Sequence, residues 1–349
     1  MTTSKNETRA KLLVSDRVIH NLSEFLLECA EAMHKNHDLV VWTNTEGACL
    51  ESLTYKFRDN LINLLSEMCV KMDYDPKRIT IETGNLIESL DKFNVVIQNT
   101  AGGWFYGSHL SRIKQDLTKD FKYHFGNFVS NSTYPRLLLA SHLHQHHGSK
   151  TLQTYRRDPM DPGHAVELDL DKLMFETCDP TVLIDVTKFI QHLPMEREKD
   201  LAEHPKTNLS AGEDGDAINH TILSWYKDFF CDVVTETMYS GKCFFLTEKT
   251  TRPLLCMNPF ITHGPVNFLK NLKALGFKTF SKYWSEDYDY LSGYARCKEM
   301  YNLIGKIAQM DSKKINMMYS DMIPLLKHNR DHLISMTDNK FEALMPNLA

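Results

Sequence analysis

Short apolar runs alternate with helical periodicity along most of this chain, and that alternation limits the fold more than any other feature. Residues 16–36 place Val18, Leu22, Phe25, Leu26, Cys29 and Met33 on one helical stripe, with Asp16 as a start. Leu39-Val-Val-Trp42 follows as a buried strand, then a helix from about Ser52 to Met72 and strands at Ile79 to Glu82 and Asn94 to Gln98. Tyr134-Pro-Arg-Leu-Leu-Leu-Ala reads as a further apolar strand, discharging into His142, His144, His146, His147 and Lys150. The alternation resumes with a strand at Cys231 to Glu236 and a helix opening at Thr247-Glu248-Lys249. Leu254 to Met257 reads as a short buried strand, Asn267 to Leu275 as a helix and Phe277 to Phe280 as another strand. Parallel strands need crossover connections, usually helical, so this order predicts an α/β fold built on parallel sheets.

With 349 residues there is room for two ordinary domains, and 42% hydrophobic with 24% charged residues is a globular balance. Asp158-Pro-Met-Asp-Pro-Gly punctuates the chain, which places a boundary near Arg157. The expected division is 1–157, then 158–310 with a polar excursion at 194–220, then a helical segment at 311–349. Tyr294 to Leu333 shows helical apolar spacing at Ile304, Ile307, Met310, Met317, Met318, Met322 and Leu326, with Pro324 expected to kink or break it. A net charge of -5 gives no global reason to expect a polyanion partner, although a local basic groove stays open. Met1 to Lys11 lacks the apolar core of a secretory signal, and no window approaches the roughly 20 apolar residues of a membrane span. A soluble cytoplasmic protein is therefore expected. Eight cysteines without any Cys-x-x-Cys read as buried reduced thiols. The four clustered histidines lack a cysteine or carboxylate at zinc spacing, so no metal is expected there.

In α/β domains ligands lie beyond the carboxyl ends of the strands. That rule selects Asn44, Glu46, Glu82, Thr83, Asn99 and the Ala101-Gly-Gly-Trp loop in the first half. Glu46 is the candidate base, its plain alternative being a solvated loop residue. Gly102 and Gly103 let a backbone approach a ligand, and Trp104, Phe105 and Tyr106 either stack on one or form a core cluster. In the second half Glu248 and Lys249 stand at a helix start. A carboxylate accepts two hydrogen bonds from a vicinal diol such as ribose, while an adjacent ammonium and a helix N-terminus favour a diphosphate. The same tripeptide is also an ordinary helical turn capped by Thr247.

The longer pattern Phe245-Leu-Thr-Glu-Lys-x-x-Arg-Pro-Leu, then Asn258-Pro-Phe-Ile, then Leu272 to Phe280, resembles the nucleotide-sugar domain of fucosyltransferase-like glycosyltransferases. Thr235 to Thr237, Thr247 to Lys249, Pro259 to Ile261 and Leu275 to Phe280 stand in the order seen in related glycosyltransferase-like proteins, frequent in viruses. The resemblance covers residues 225–300. It implies a B-type architecture, two Rossmann-like domains facing across a cleft, with the donor in the second and the acceptor in the first. It assigns Glu248 to the donor ribose, Lys249 to the phosphates, Arg252 and Lys150 as auxiliary cations, and Glu236 and Tyr239 to the donor pocket. Where relatives carry a basic turn with an arginine on the diphosphate, this chain holds His144, His146, His147 and Lys150, with no arginine until Arg156 and Arg157. Glu46, Asn99, Gly102, Gly103 and Trp104 fall to the acceptor side. A nucleotide sugar is the implied donor substrate, with no cofactor required, and the acceptor is an unidentified glycan or small molecule. Two alternatives stay open: transfer onto a hydroxylated base of viral DNA, and a non-catalytic nucleotide-binding or interaction protein that retains the fold. Ser285 to Tyr290 also resembles an element of the wider group; Asp287 and Asp289 either orient residues at the cleft or form a solvated acidic turn. His328-Asn329 echoes that group with no derivable role.

Overall fold

The structure is a computed structural model that describes residues 7–12, 14–15, 18–19, 21–43, 54–55, 59–85, 92–97, 117–129, 132–155, 170–195, 220–239, 241 and 243–336. It is an α/β protein in two compact units, residues 1–101 with 241–245 and residues 102–240 with 246–349. Each unit contains a four-stranded parallel sheet. This division differs from the boundary expected at Arg157. Strands at Tyr123–Val129 and Thr151–Tyr155 pair into the second sheet, which assigns them to the second unit.

In the first unit β1 (Glu7–Leu12), β2 (Asp38–Thr43), β3 (Ile79–Thr83) and β4 (Asn94–Ile97) lie side by side in chain order, all parallel. Helix α1 (Leu22–His34) connects β1 to β2, and α2 (Leu61–Lys71) precedes β3. Leu39, Val41, Ile79 and Ile81 are buried, as are Leu22, Phe25, Cys29 and Met33 of α1 and Leu61, Leu65 and Cys69 of α2. Both helices begin later than expected. Asn21 occupies the N-cap position of α1 and its side chain donates to the Lys11 carbonyl. Ahead of α2, Thr54–Tyr55 and Asp59–Asn60 pair as a short antiparallel ribbon instead of extending the helix.

The second unit runs β5 (Tyr123–Val129), α3 (Tyr134–His147), β6 (Thr151–Tyr155), α4 (Leu170–Thr177), α5 (Pro180–Ile190), α6 (His220–Trp225) and β7 (Phe229–Thr235). It continues with α7 (Glu248–Cys256), β8 (Phe260–His263), α8 (Phe268–Ala274), α9 (Gly293–Ala308) and α10 (Ser312–Ser335). Its strand order is β6-β5-β7-β8, all parallel. The chain steps one way from β5 to β6 and the other way from β7 to β8, so the order reverses between β5 and β7. Such a reversal opens a crevice at the carboxyl ends of the two strands. The seam is tied by buried side chains: Asn127 donates to the Val233 carbonyl at 2.8 Å, and Gln153 donates to Asn127 Oδ1 and the Ala140 carbonyl, both at 3.0 Å. Gly126 of β5 is needed for close packing, because a Cβ there would meet the Phe229 ring at 2.5 Å. Gly126→Ala is therefore expected to destabilise the protein by about 1–3 kcal/mol through overpacking, measured as a lower urea midpoint; an unchanged midpoint would contradict this packing.

Three expected strands are not strands. Tyr134 onward is the crossover helix α3, with Pro135 in its first turn. Its residues from Pro135 through Ser141 are all buried, so the run shows no 3.6-residue alternation and resembles a core strand in sequence. Around it, Val129, Tyr155, Val182, Val186, Phe189 and Cys297 complete one hydrophobic cluster. Leu254 to Cys256 form the last turn of α7, which ends where Met257 takes a left-handed conformation with φ 58°. Asn258 then anchors the following turn, donating to the carbonyls of Tyr226, Phe229 and Phe230.

Phe277 to Phe280 pairs with no described strand, and side chains hold its backbone instead. Asn329 brackets Lys278, accepting from its N–H and donating to its carbonyl, both at 2.7 Å, which gives the His328-Asn329 pair a structural role. Glu286 accepts from Phe280 N at 2.6 Å and Thr279 Oγ1 at 2.7 Å. Nor is Asp289 part of a solvated turn: it is buried, accepts from Leu269 N at 3.0 Å at the start of α8, and pairs with Arg296 at 2.8 Å. Helix α10 continues through Pro324 without breaking, and its Met317 is 64% exposed while Met322 is buried. Among the described residues no helix is long and apolar enough to cross a membrane. The described cysteines are free, and all but Cys178 are buried.

Candidate functional site

The crevice between β5 and β7 gathers the chemistry of the second unit. Asn127 to Val129 of β5, Asp232 to Thr235 of β7, Arg136 of α3, and Lys249 and Arg252 of α7 surround a cavity of about 20 Å³, room for about one water molecule. Arg136 and Arg252 are each only 5% exposed, so these guanidinium groups are held inside the protein and not on its surface. Arg136 Nη2 lies 3.5 Å from the Thr235 carbonyl. Thr133, extended at the N-cap position of α3, makes no side-chain cap bond. The buried hydroxyls of Thr133 and Thr235 have no hydrogen-bond partner. A helix N-terminus, buried cations and unsatisfied hydroxyls at one strand end favour an anion.

Beside the crevice, Glu236 follows β7 and is fully buried. It accepts from Thr247 Oγ1 and Thr250 Oγ1, both at 2.5 Å. Thr247 also caps α7 by accepting from Lys249 N at 3.2 Å. Burial raises the pKa of Glu236, against the lowering effect of Lys249 and the two hydroxyls. Glu248 behaves in the opposite way. Its Oε1 accepts from Lys249 Nζ at 2.6 Å and Arg252 Nη2 at 3.3 Å. Burial disfavours its charge, but Lys249 and Arg252 outweigh burial and take its pKa down to about 2. The carboxylate is ionised at neutral pH and is already occupied by the two cations proposed for a diphosphate.

On the neighbouring strand end, His263 of β8 accepts from Glu236 N through its carbonyl, while both its ring nitrogens are buried without a partner. Burial, with the charge of Arg296 nearby, lowers its pKa to about 3, so the ring is neutral. Tyr239 lies edge-on to it at 6.1 Å between centroids. The structure therefore brings Glu236, Tyr239, Glu248, Lys249 and Arg252 together.

It does not bring Lys150 and His147 to them. Helix α3 runs from the carboxyl end of β5 to the amino end of β6, which carries its last turn to the opposite edge of the sheet. There Lys150 Nζ donates to the Ala308 carbonyl at the end of α9, and the His147 ring packs 6.3 Å from Phe125. His142, His144 and His146 lie on the same helix, packed against Tyr301, His192 and one another. In the first unit Glu82 pairs with Arg9 at 3.2 Å, and Thr83 Oγ1 accepts from Asn85 N at 3.1 Å. Glu46, Asn99, Gly102, Gly103 and Trp104 lie outside the described residues, as do Asn44, Arg156 and Arg157.

Arg136, Thr133, Asp232 and His263 were not legible as site residues. Pro135 carried the signal for Arg136: a proline suits the first turn of a helix, and a helix starting there puts residue 136 at the carboxyl end of β5. Compared with known proteins, the chain matches no family model and no curated protein.

Proposed function

We propose that this chain is a nucleotide-sugar-dependent glycosyltransferase of the B type, with the donor diphosphate at the switch point of the second sheet. The observation that carries the reading is the convergence of Arg136, Lys249 and Arg252 on one crevice beside the N-terminus of α3. A departing nucleoside diphosphate gains negative charge in the transition state, and fixed cations in a water-poor site stabilise it there. Lys249 and Arg252 turn to the diphosphate when the donor enters, which frees the ionised Glu248 to accept the two ribose hydroxyls. In this reading Glu236 and its two threonine donors hold the start of α7 in place. The candidate base, Glu46, chosen because it follows the carboxyl end of a strand, belongs to the first unit.

The reading is tested by incubating the protein with a panel of nucleotide sugars and glycan acceptors and measuring release of free nucleoside diphosphate. Turnover is expected with one nucleotide family, reduced about a hundredfold in Lys249→Ala. A second reading, a nucleotide-binding protein without catalysis, is favoured by the small cavity and by the ion pairs that already engage Glu248. Nucleotide binding without release of diphosphate across the panel would decide for it.

A further inference from the structure

A groove of about 400 Å³ lies between α3, α5 and α9 and shares no lining residue with the switch-point crevice. Its size falls within the roughly 300–1,000 Å³ typical of small-molecule sites. Apolar and aromatic groups line part of it: Leu138 and Val182 are buried, and the His142 ring stacks on Tyr301 with centroids 3.9 Å and planes 13° apart. His142 Nε2 is buried without a partner. Burial, with His146 and His147 nearby, lowers the pKa of this ring to about 3 and keeps it neutral.

Three carboxylates and one ammonium also line the groove. Asp179 is fully engaged, accepting from Thr181 N and Thr181 Oγ1 and from the Tyr294 hydroxyl. Asp185 gives one oxygen to His146 Nε2 at 2.6 Å. Glu299 is exposed. Lys298 Nζ lies 5.5 Å from the centroid of the Tyr294 ring, so an ammonium of the chain itself already rests on an aromatic wall of the groove. Carboxylates and aromatic faces together attract organic cations and repel anions.

We propose that this groove binds a small organic amine, held by Asp185 and Glu299 and packed against Tyr294 and Tyr301. The ligand's ammonium takes the position against Tyr294 that Lys298 holds in its absence, with the two carboxylates as counter-charges. A second polar group of the ligand satisfies His142 Nε2, whose lack of a partner is costly in a buried position. The site is independent of the nucleotide crevice.

Ligand-observed NMR tests it with spermidine, histamine and glucosamine as probes and with glucose and acetate as controls. At least one amine is expected to bind, with neither control doing so, and the double substitution Asp185→Asn, Glu299→Gln is expected to weaken binding about tenfold or more. Both positions lie on helix surfaces, and an unchanged melting temperature shows that the variant is folded. Absence of binding by every amine overturns the proposal, as does equal binding of glucose or amine binding that survives the double substitution.

Discussion

Arg296→Ala is expected to cost about 3–5 kcal/mol of stability, because it leaves a buried carboxylate without its counter-charge. Arg296 has no exposed surface, and Nη2 donates to Asp289 Oδ1 at 2.8 Å. Its Nη1 donates to the Gly264 carbonyl and, at 2.8 Å, to the Pro265 carbonyl. These carbonyls follow directly on His263, so one guanidinium pins the segment leaving β8 at the carboxyl edge where Glu236 also binds. Alanine removes the partner of four acceptors at once, the Asp289 carbonyl at 3.5 Å among them, and opens a cavity. Asp289 retains the N–H groups of Leu269 and Lys270, which soften but do not abolish the loss. Urea unfolding of the two proteins measures the difference. A loss below about 1 kcal/mol would place the pair among ordinary surface bridges and would contradict its structural role.

Asp232→Asn is expected to make the protein more stable than wild type at neutral pH, and by an amount that depends on pH. Asp232 is 3% exposed in the middle of β7. Burial raises its pKa to about 7, with the Tyr226 hydroxyl at 2.5 Å and the charge of Arg252 acting in the opposite direction. An unfolded chain ionises an aspartate near its model value of 3.8. Between these values the folded protein holds a proton that the unfolded chain has released, so folding stability falls as pH rises through this window. The contribution is fully retained below about pH 4 and is lost above about pH 7. Asparagine mimics the protonated side chain and does not titrate. The two proteins should therefore match near pH 4 and diverge until the variant leads by about 2–4 kcal/mol above pH 7. Urea midpoints at successive pH values measure this divergence. Parallel profiles would show that Asp232 does not carry the proton assigned to it.

Much of the α/β architecture was legible because its strands are short, apolar and separated by helical stripes. Leu39 to Trp42, Ile79 to Glu82 and Cys231 to Thr235 all fall within strands. The start of α7 was legible too, because Thr247 followed by Glu248 is a capping pattern. Where the reading failed, complete burial had erased the period that distinguishes helix from strand. Leu137 to Leu139 of α3 and Leu254 to Cys256 of α7 are surrounded by protein on every side. The first of these errors moved the site. Read as a strand, residues 134–141 deliver the histidines and Lys150 to the carboxyl edge; as a helix, they deliver Arg136 there and Lys150 to the far edge. Phe277 to Phe280 forms no strand, and its backbone partners, Glu286 and Asn329, are side chains that no local pattern announces.

The proposed function requires the crevice between β5 and β7 to take a nucleoside diphosphate. Titration calorimetry with nucleoside diphosphates against wild type, Arg136→Met, Lys249→Met and Lys150→Met measures this. Binding by one nucleotide family is expected, weakened about 10- to 100-fold by Arg136→Met and by Lys249→Met, since charge-assisted hydrogen bonds contribute about 1.5–3 kcal/mol each. Lys150→Met, at the opposite edge of the sheet, should leave affinity within about twofold. Binding that survives the first two substitutions and is lost with Lys150, or no binding of any nucleoside diphosphate to the folded wild-type protein, would overturn the proposed donor site.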